Sequence, residues 1–185
     1  MSDTVLPIPG ITVTRPHRAD ARRNFDALLA AARAAFNEDG IDVALEDIAR
    51  DAGVGIGTLY RNFPTRQELL EAVYISEIEE LLQAAHDAAD REPWEAFEVW
   101  LRRFSSYVAT KLAMLQALNK ESEMFRVCRS AMFEAASPLF ERAREAGELR
   151  DDVLRMVSGV TAGHYDDDAQ RERVFTLALD AVRAR

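Results

Sequence analysis

The stretch Asp47–Pro64, DIARDAGVGIGTLYRNFP, restricts the possible folds of this chain more than any other. Before Gly53, Leu45, Ile48, Ala49 and Ala52 recur at helical spacing; after it, Ile56, Leu59 and Phe63 recur at i, i+3 and i+7. The pattern predicts two short helices, 45–52 and 56–62. Pro64 stops the second. The turn between them needs a residue that tolerates positive φ, and Gly53 supplies it.

The two helices need a partner for their apolar sides. Helix 18–38 is the candidate, because Phe25, Leu28, Leu29, Ala32 and Phe36 form one stripe at helical spacing. Gly40 is placed to close that helix. Beyond Pro64, TRQE reads as a capping box with Thr65 as N-cap and Glu68 three residues on, opening a long fourth helix over 65–89. Pro93 suits the first turn of a fifth helix, in which Phe97, Trp100, Leu101, Phe104 and Val108 line one side. Further helical stretches cover about 110–118, 120–146 (with Pro138 as a possible break), 150–162 and 169–184. No segment reads as a strand. The expectation is an all-α chain of about nine helices.

A chain of 185 residues, 48% hydrophobic and 30% charged, suits one compact domain or two small ones and excludes a disordered chain. The single cysteine, Cys128, excludes an internal disulfide. The N-terminal MSDTVLPIPGITV lacks a basic start and is broken by Pro7 and Pro9, so it makes a poor signal peptide. With no apolar run near the length of a membrane span, a cytoplasmic protein is expected. The net charge of −9 is uneven: residues 1–66 carry 8 Arg against 9 Asp and Glu, and the remainder 15 Lys and Arg against 23 Asp and Glu. Near the N-terminus Arg15, Arg18, Arg22 and Arg23 face only Asp20, a locally basic end on an acidic body. Residues 1–17 read as a flexible arm, 18–66 as a helix-turn-helix domain and 67–185 as a second helical domain.

With their apolar residues turned inward, the helices around Gly53 form a helix-turn-helix. The second then presents Gly57, Thr58, Arg61 and Asn62, with Tyr60 at the edge. Such a helix fits a major groove, where Arg can bond guanine, Asn adenine, and Thr either bases or phosphates. Gly55 and Gly57 are each costly in a helix by about 1 kcal/mol against Ala, and close approach to a DNA backbone would account for them. A three-helix core with a merely solvated outer face is the other reading.

Leu45–Tyr74, LEDIARDAGVGIGTLYRNFPTRQELLEAVY, resembles the DNA-binding region of the TetR family of bacterial transcriptional regulators. The matching elements are Ile48-Ala49, Ala52-Gly53-Val54, Thr58-Leu59-Tyr60, Phe63 and the Arg66…Leu69-Leu70 start of the fourth helix, and with the first helix the match spans about Arg22–Tyr74. The resemblance implies a homodimer on a near-palindromic double-stranded DNA operator. It places Gly57, Thr58, Tyr60, Arg61 and Asn62 at bases and nearby phosphates, Arg66 at a phosphate, and Arg22 and Arg23 at the backbone or a minor groove. One departure stands out: the family often has Thr where this chain has Ala44. Ala44 can neither cap the second helix nor reach a phosphate, leaving Asp42 or the backbone to substitute.

The family's C-terminal region encloses a pocket for a small-molecule inducer. Of the large apolar residues here, Trp100, Phe104, Phe125 and Cys128 are the expected lining, and a largely apolar ligand of unknown identity would suit it. Each also fits a plain core position. Val153, Val157, Val160, Phe175, Leu179 and Val182 form stripes on the last two helices that either pair with a second subunit or are buried within one chain. Ligand would favour a conformer in which helix 65–89 swings the DNA-binding domains off their spacing. His164–Asp168, HYDDD, reads as a polar loop in preference to a metal site. Glu79, Gln83, His86, Asp87 and Asp90 read as a solvated face, and Cys128 as an inert buried thiol. No phosphate loop, nucleophile elbow, HExxH or Cys-His cluster is present, and His17, His86 and His164 are far apart, so neither an enzyme nor a cofactor is expected. The competing function is a helical protein–protein module that does not bind DNA.

Overall fold

The computed structural model describes residues 15–118 and 122–149 (backbone alone over 109–117), together with Ile8, Gly10, Ile11, Gln170, Arg173, Val174, Thr176, Ala178, Leu179, Asp180 and Arg183. These residues contain six helices: α1 (Ala19–Glu38), α2 (Leu45–Asp51), α3 (Ile56–Asn62), α4 (Arg66–Ala88), α5 (Pro93–Ala117) and α6 (Glu123–Glu145). Among them there is no strand, only a single antiparallel bridge between Leu149 and Arg183. The class is all-α, an N-terminal helix-turn-helix followed by a helical C-terminal part.

The expected count of about nine helices is too high over the described residues. The stretches 93–108 and 110–118 are one helix, α5, because Val108-Ala109-Thr110-Lys111 contains no Gly or Pro to break it. Pro138 does not break α6 either. It removes one N–H, the helical donor to the Glu134 carbonyl, and the helix continues on either side; the neighbouring Ser137 hydroxyl donates to the Phe133 carbonyl, 2.9 Å away. The expected helix 150–162 lies outside the described residues; the described positions from Gln170 to Asp180 are helical.

The chain forms two compact units, one of Pro7–Glu79 with Lys111–Arg129, the other of Glu80–Thr110 with the described residues from Ser130 onward. In the first, α1 buries Phe25, Leu28, Leu29, Ala32 and Phe36 against α2 and α3, which bury Leu45, Ile48, Ala49 and Leu59. The Phe25 and Phe63 rings lie 5.0 Å apart. A polar tie joins α1 to α4: Arg33 Nε pairs with Glu77 Oε1 at 2.6 Å, and Arg33 Nη2 donates to Ser76 Oγ at 3.3 Å. The capping box of α4 is formed in both directions, Glu68 N–H to Thr65 Oγ1 at 3.1 Å and Thr65 N–H to Glu68 Oε2 at 3.2 Å.

In the second unit, the Phe97 ring meets Phe140 edge-on at 5.0 Å, and Trp100 meets Phe140 at 5.9 Å. Glu148 closes the start of α5 by accepting the Trp94 N–H at 3.0 Å. It is positioned by a Schellman turn at the end of α6, in which Gly147 (φ 71°) donates to Arg144 and Glu148 to Ala143.

Candidate nucleic-acid interface

The joint between α2 and α3 is a second Schellman turn. Gly53, at φ 69°, donates to the Arg50 carbonyl and Val54 to the Ala49 carbonyl, each at 3.0 Å. These bonds fix the direction in which α3 leaves. Leu59, with no exposed surface, and Phe63, 3% exposed, then fix its rotation. The outer face follows from that rotation. Tyr60 is 47% exposed, Gly57 and Arg61 are exposed, and Thr58 and Asn62 are half-buried.

The polar groups on this face are in different states. Among the described residues, Arg61 has no ion pair or hydrogen bond within the protein, whereas Arg50 is paired with Asp47 at 2.6 Å and Arg23 is paired with Asp20. Arg22 is exposed on α1. Asn62 Nδ2 donates back to the Thr58 carbonyl at 2.8 Å. Gly57 has ordinary helical φ, and a Cβ built there meets no protein atom within 4 Å. Among the described residues, nothing requires a glycine at that position.

Two residues are held in ways the sequence does not reveal. Arg66, half-buried at the first position of α4, donates from Nη1 to the carbonyls of Ile41 (2.8 Å) and Val43 (2.7 Å) in the loop before α2. That loop leads into a helix without a side-chain cap, since the N-cap is Ala44. Arg15, in the segment expected to be a flexible arm, pairs with Glu79 of α4 at 3.0 Å, and Ile8 is 2% exposed. The arm is therefore held at these points, by burial of one apolar side chain and by an ion pair. Contacts between residues 23 to 64 apart leave no periodic trace. The one local signal at Arg66 was a cation at a helix N-terminus, where the helix dipole disfavours it.

The four residues expected around a ligand fall into two groups. Trp100 stacks on Phe104 (5.3 Å, 7° between planes) and donates from Nε1 to the Leu81 carbonyl at 3.2 Å, all in the second unit. Phe125 stacks on Tyr74 (5.3 Å, 11°) in the first unit, where Cys128 is fully buried 4.0 Å from the Met124 sulfur. Burial, and to a lesser degree the charge of Glu79, pushes the Cys128 thiol up to about 12. Val153, Val157, Val160, Phe175 and Val182 lie outside the described residues, as does His164–Asp168. Leu179 is 4% exposed within the single chain. Among the described residues no three His, Cys, Asp or Glu side chains gather as metal ligands, and no helix is long and apolar enough to cross a membrane.

A short helix held by its apolar side over a glycine turn, with an unpaired guanidinium and an exposed tyrosine on its outer side, defines a helix-turn-helix of the DNA-reading kind. Comparison with known proteins gives the family. Residues 28–73 match the model of bacterial regulatory proteins of the tetR family, and residues 92–184 match the C-terminal domain of SbtR-like transcriptional regulators. The chain belongs to the TetR family of transcriptional regulators. It is 39% identical to the crystal structure of the TetR transcriptional regulator SCO0520 from Streptomyces coelicolor, over 86% of this chain and 98% of that one, with a TM-score of 0.71. A TetR transcription regulatory protein from Mycobacterium vanbaalenii is 30% identical over 91% of this chain and 100% of its own, also with a TM-score of 0.71. An HTH-type transcriptional regulator of Staphylococcus aureus is 25% identical over 120 residues, 63% of this chain; the match spans 65% of that relative's length.

Proposed function

We propose that the protein is a homodimeric repressor that sits on a near-palindromic operator and is released from it by a small, largely apolar ligand. The observation that carries this reading is the outer face of α3, where, among the described residues, Arg61 has no partner and Gly57 has no structural reason for its missing side chain. Arg61 and Asn62 would contact bases, Thr58 and Tyr60 bases or adjacent phosphates, and Arg22 and Arg23 the backbone flanking the groove. The acidic remainder of the chain would repel non-specific DNA while the N-terminal end docks. The aromatic stacks around Trp100 and Phe125 favour an apolar ligand. Such a ligand would act through α4, which carries Arg33's partners Ser76 and Glu77. A coupling of about 1–3 kcal/mol between ligand and operator would change operator affinity roughly 5–150-fold.

The test is a selection of duplexes from a random library, followed by fluorescence anisotropy on the winner and a scrambled control. Two subunits per site and a loss of about 1–3 kcal/mol on Arg61→Ala are expected. No enrichment of any duplex, or an Arg61→Ala protein that binds as well as wild type, would sink the reading.

A further inference from the structure

We infer that Arg66 is a positioning residue for the DNA-reading helices and does not itself grip a phosphate. The inference rests on the DNA-binding reading above. It starts from a misfit: a cation at the first position of α4 faces the positive end of the helix dipole. Two hydrogen bonds offset that penalty. Both run from the same nitrogen, Nη1, whose two hydrogens are taken by the carbonyls of Ile41 and Val43 at 2.8 and 2.7 Å. The half-buried guanidinium is thus turned into the fold.

What it holds is the entry to α2. The chain leaves α1 through Gly40 (φ 84°) and reaches Ala44, the N-cap of α2, which has no side-chain cap bond. A seven-residue helix without a cap has little to fix where it begins. The grip on residues 41 and 43 supplies that fixed point from α4, whose own start is locked by the Thr65–Glu68 capping box. Since α2 packs on α3, an error at the start of α2 displaces α3.

Three roles for Arg66 predict different behaviour in operator titrations over a range of salt, on a duplex selected by the wild-type protein. If Arg66 positions the helices, Arg66→Met lowers affinity by about tenfold or more at every salt concentration, as expected for loss of hydrogen bonds from a charged donor. The slope of log affinity against log salt stays at the wild-type value. Arg66→Lys, whose ammonium can still donate to both carbonyls, recovers part of the loss. Amide exchange over residues 41–48 of the DNA-free protein speeds up in Arg66→Met and not in Arg61→Ala. If Arg66 grips a phosphate, the slope of the Arg66→Met dimer falls by about 2, one released counterion per subunit, and exchange over 41–48 is unchanged. If its role is stability alone, the unfolding midpoint falls while affinity per folded dimer stays the same. Either of the last two results overturns the inference. Loss of sequence preference in the wild type itself would instead overturn the DNA-binding reading, and the exchange data would then still report whether Arg66 fixes the loop.

Discussion

At Gly57, folding and the proposed function make opposite demands. The residue is the second of α3's seven, where glycine is worse than alanine by at most about 0.5–1 kcal/mol, and a methyl group there would touch none of the described residues. Gly57→Ala should therefore raise the midpoint of chemical denaturation while weakening operator binding. A variant that gained stability and bound DNA unchanged would show that no backbone approaches this position. Cys128 offers a test of a different kind. Its thiol is fully buried and pushed up to about 12 from 9.0. A thiol whose folded value lies above its unfolded one contributes stability that is whole below about pH 9 and is lost as pH rises toward 12, because the unfolded chain gives up the proton first. Denaturation midpoints measured from pH 7 to pH 10.5 should fall less steeply in Cys128→Ala than in wild type. Parallel curves would mean that the thiol does not carry this dependence.

At the scale of elements, local signals were legible in the sequence and distant ones were not. The apolar stripe of α1, the turn at Gly53 and the capping box at Thr65 are each written within a few residues, and all three are present. The continuity of α5 past Val108 was legible too, in the absence of any breaker, yet the apolar pattern there invited a division. The clamps on the elements were not legible. Arg33 on Glu77, Arg66 on the loop at 41–43 and Glu148 on the start of α5 join residues 23 to 54 apart, and nothing in the spacing of one partner announces the other. Glu148 makes a measurable case. Its carboxylate accepts the Trp94 N–H at the first turn of α5, and Glu148→Ala should cost about 1 kcal/mol. Hydrogen exchange should show the loss at the amides of the first turn of α5. Unchanged protection at Trp94 would mean that water replaces the carboxylate without penalty.

At the scale of the whole molecule, the proposed dimer turns a single-helix reader into a ruler. Two α3 helices in one complex can meet successive major grooves only if they lie about 34–36 Å apart, one turn of DNA. Inserting about 5 base pairs between the half-sites puts the second half-site on the opposite face of the duplex, and tight binding should disappear; about 10 should restore much of it. Binding indifferent to the insertion would mean that each subunit reads DNA alone.

The unit that contains α1–α3 is not continuous in sequence. It runs through Pro7–Glu79 and is completed by Lys111–Arg129, with Phe125 from the later piece stacked on Tyr74 of the earlier one. During synthesis, the ribosome must therefore deliver Arg129 before the first unit has all its parts, although its reading helix ends at Asn62. The same holds for chimeras. A hybrid regulator spliced just after α3 would inherit the reading surface without the Arg66 clamp, the Ser76 and Glu77 partners of Arg33, or the Tyr74–Phe125 stack. A splice that respects the fold takes two segments from this chain.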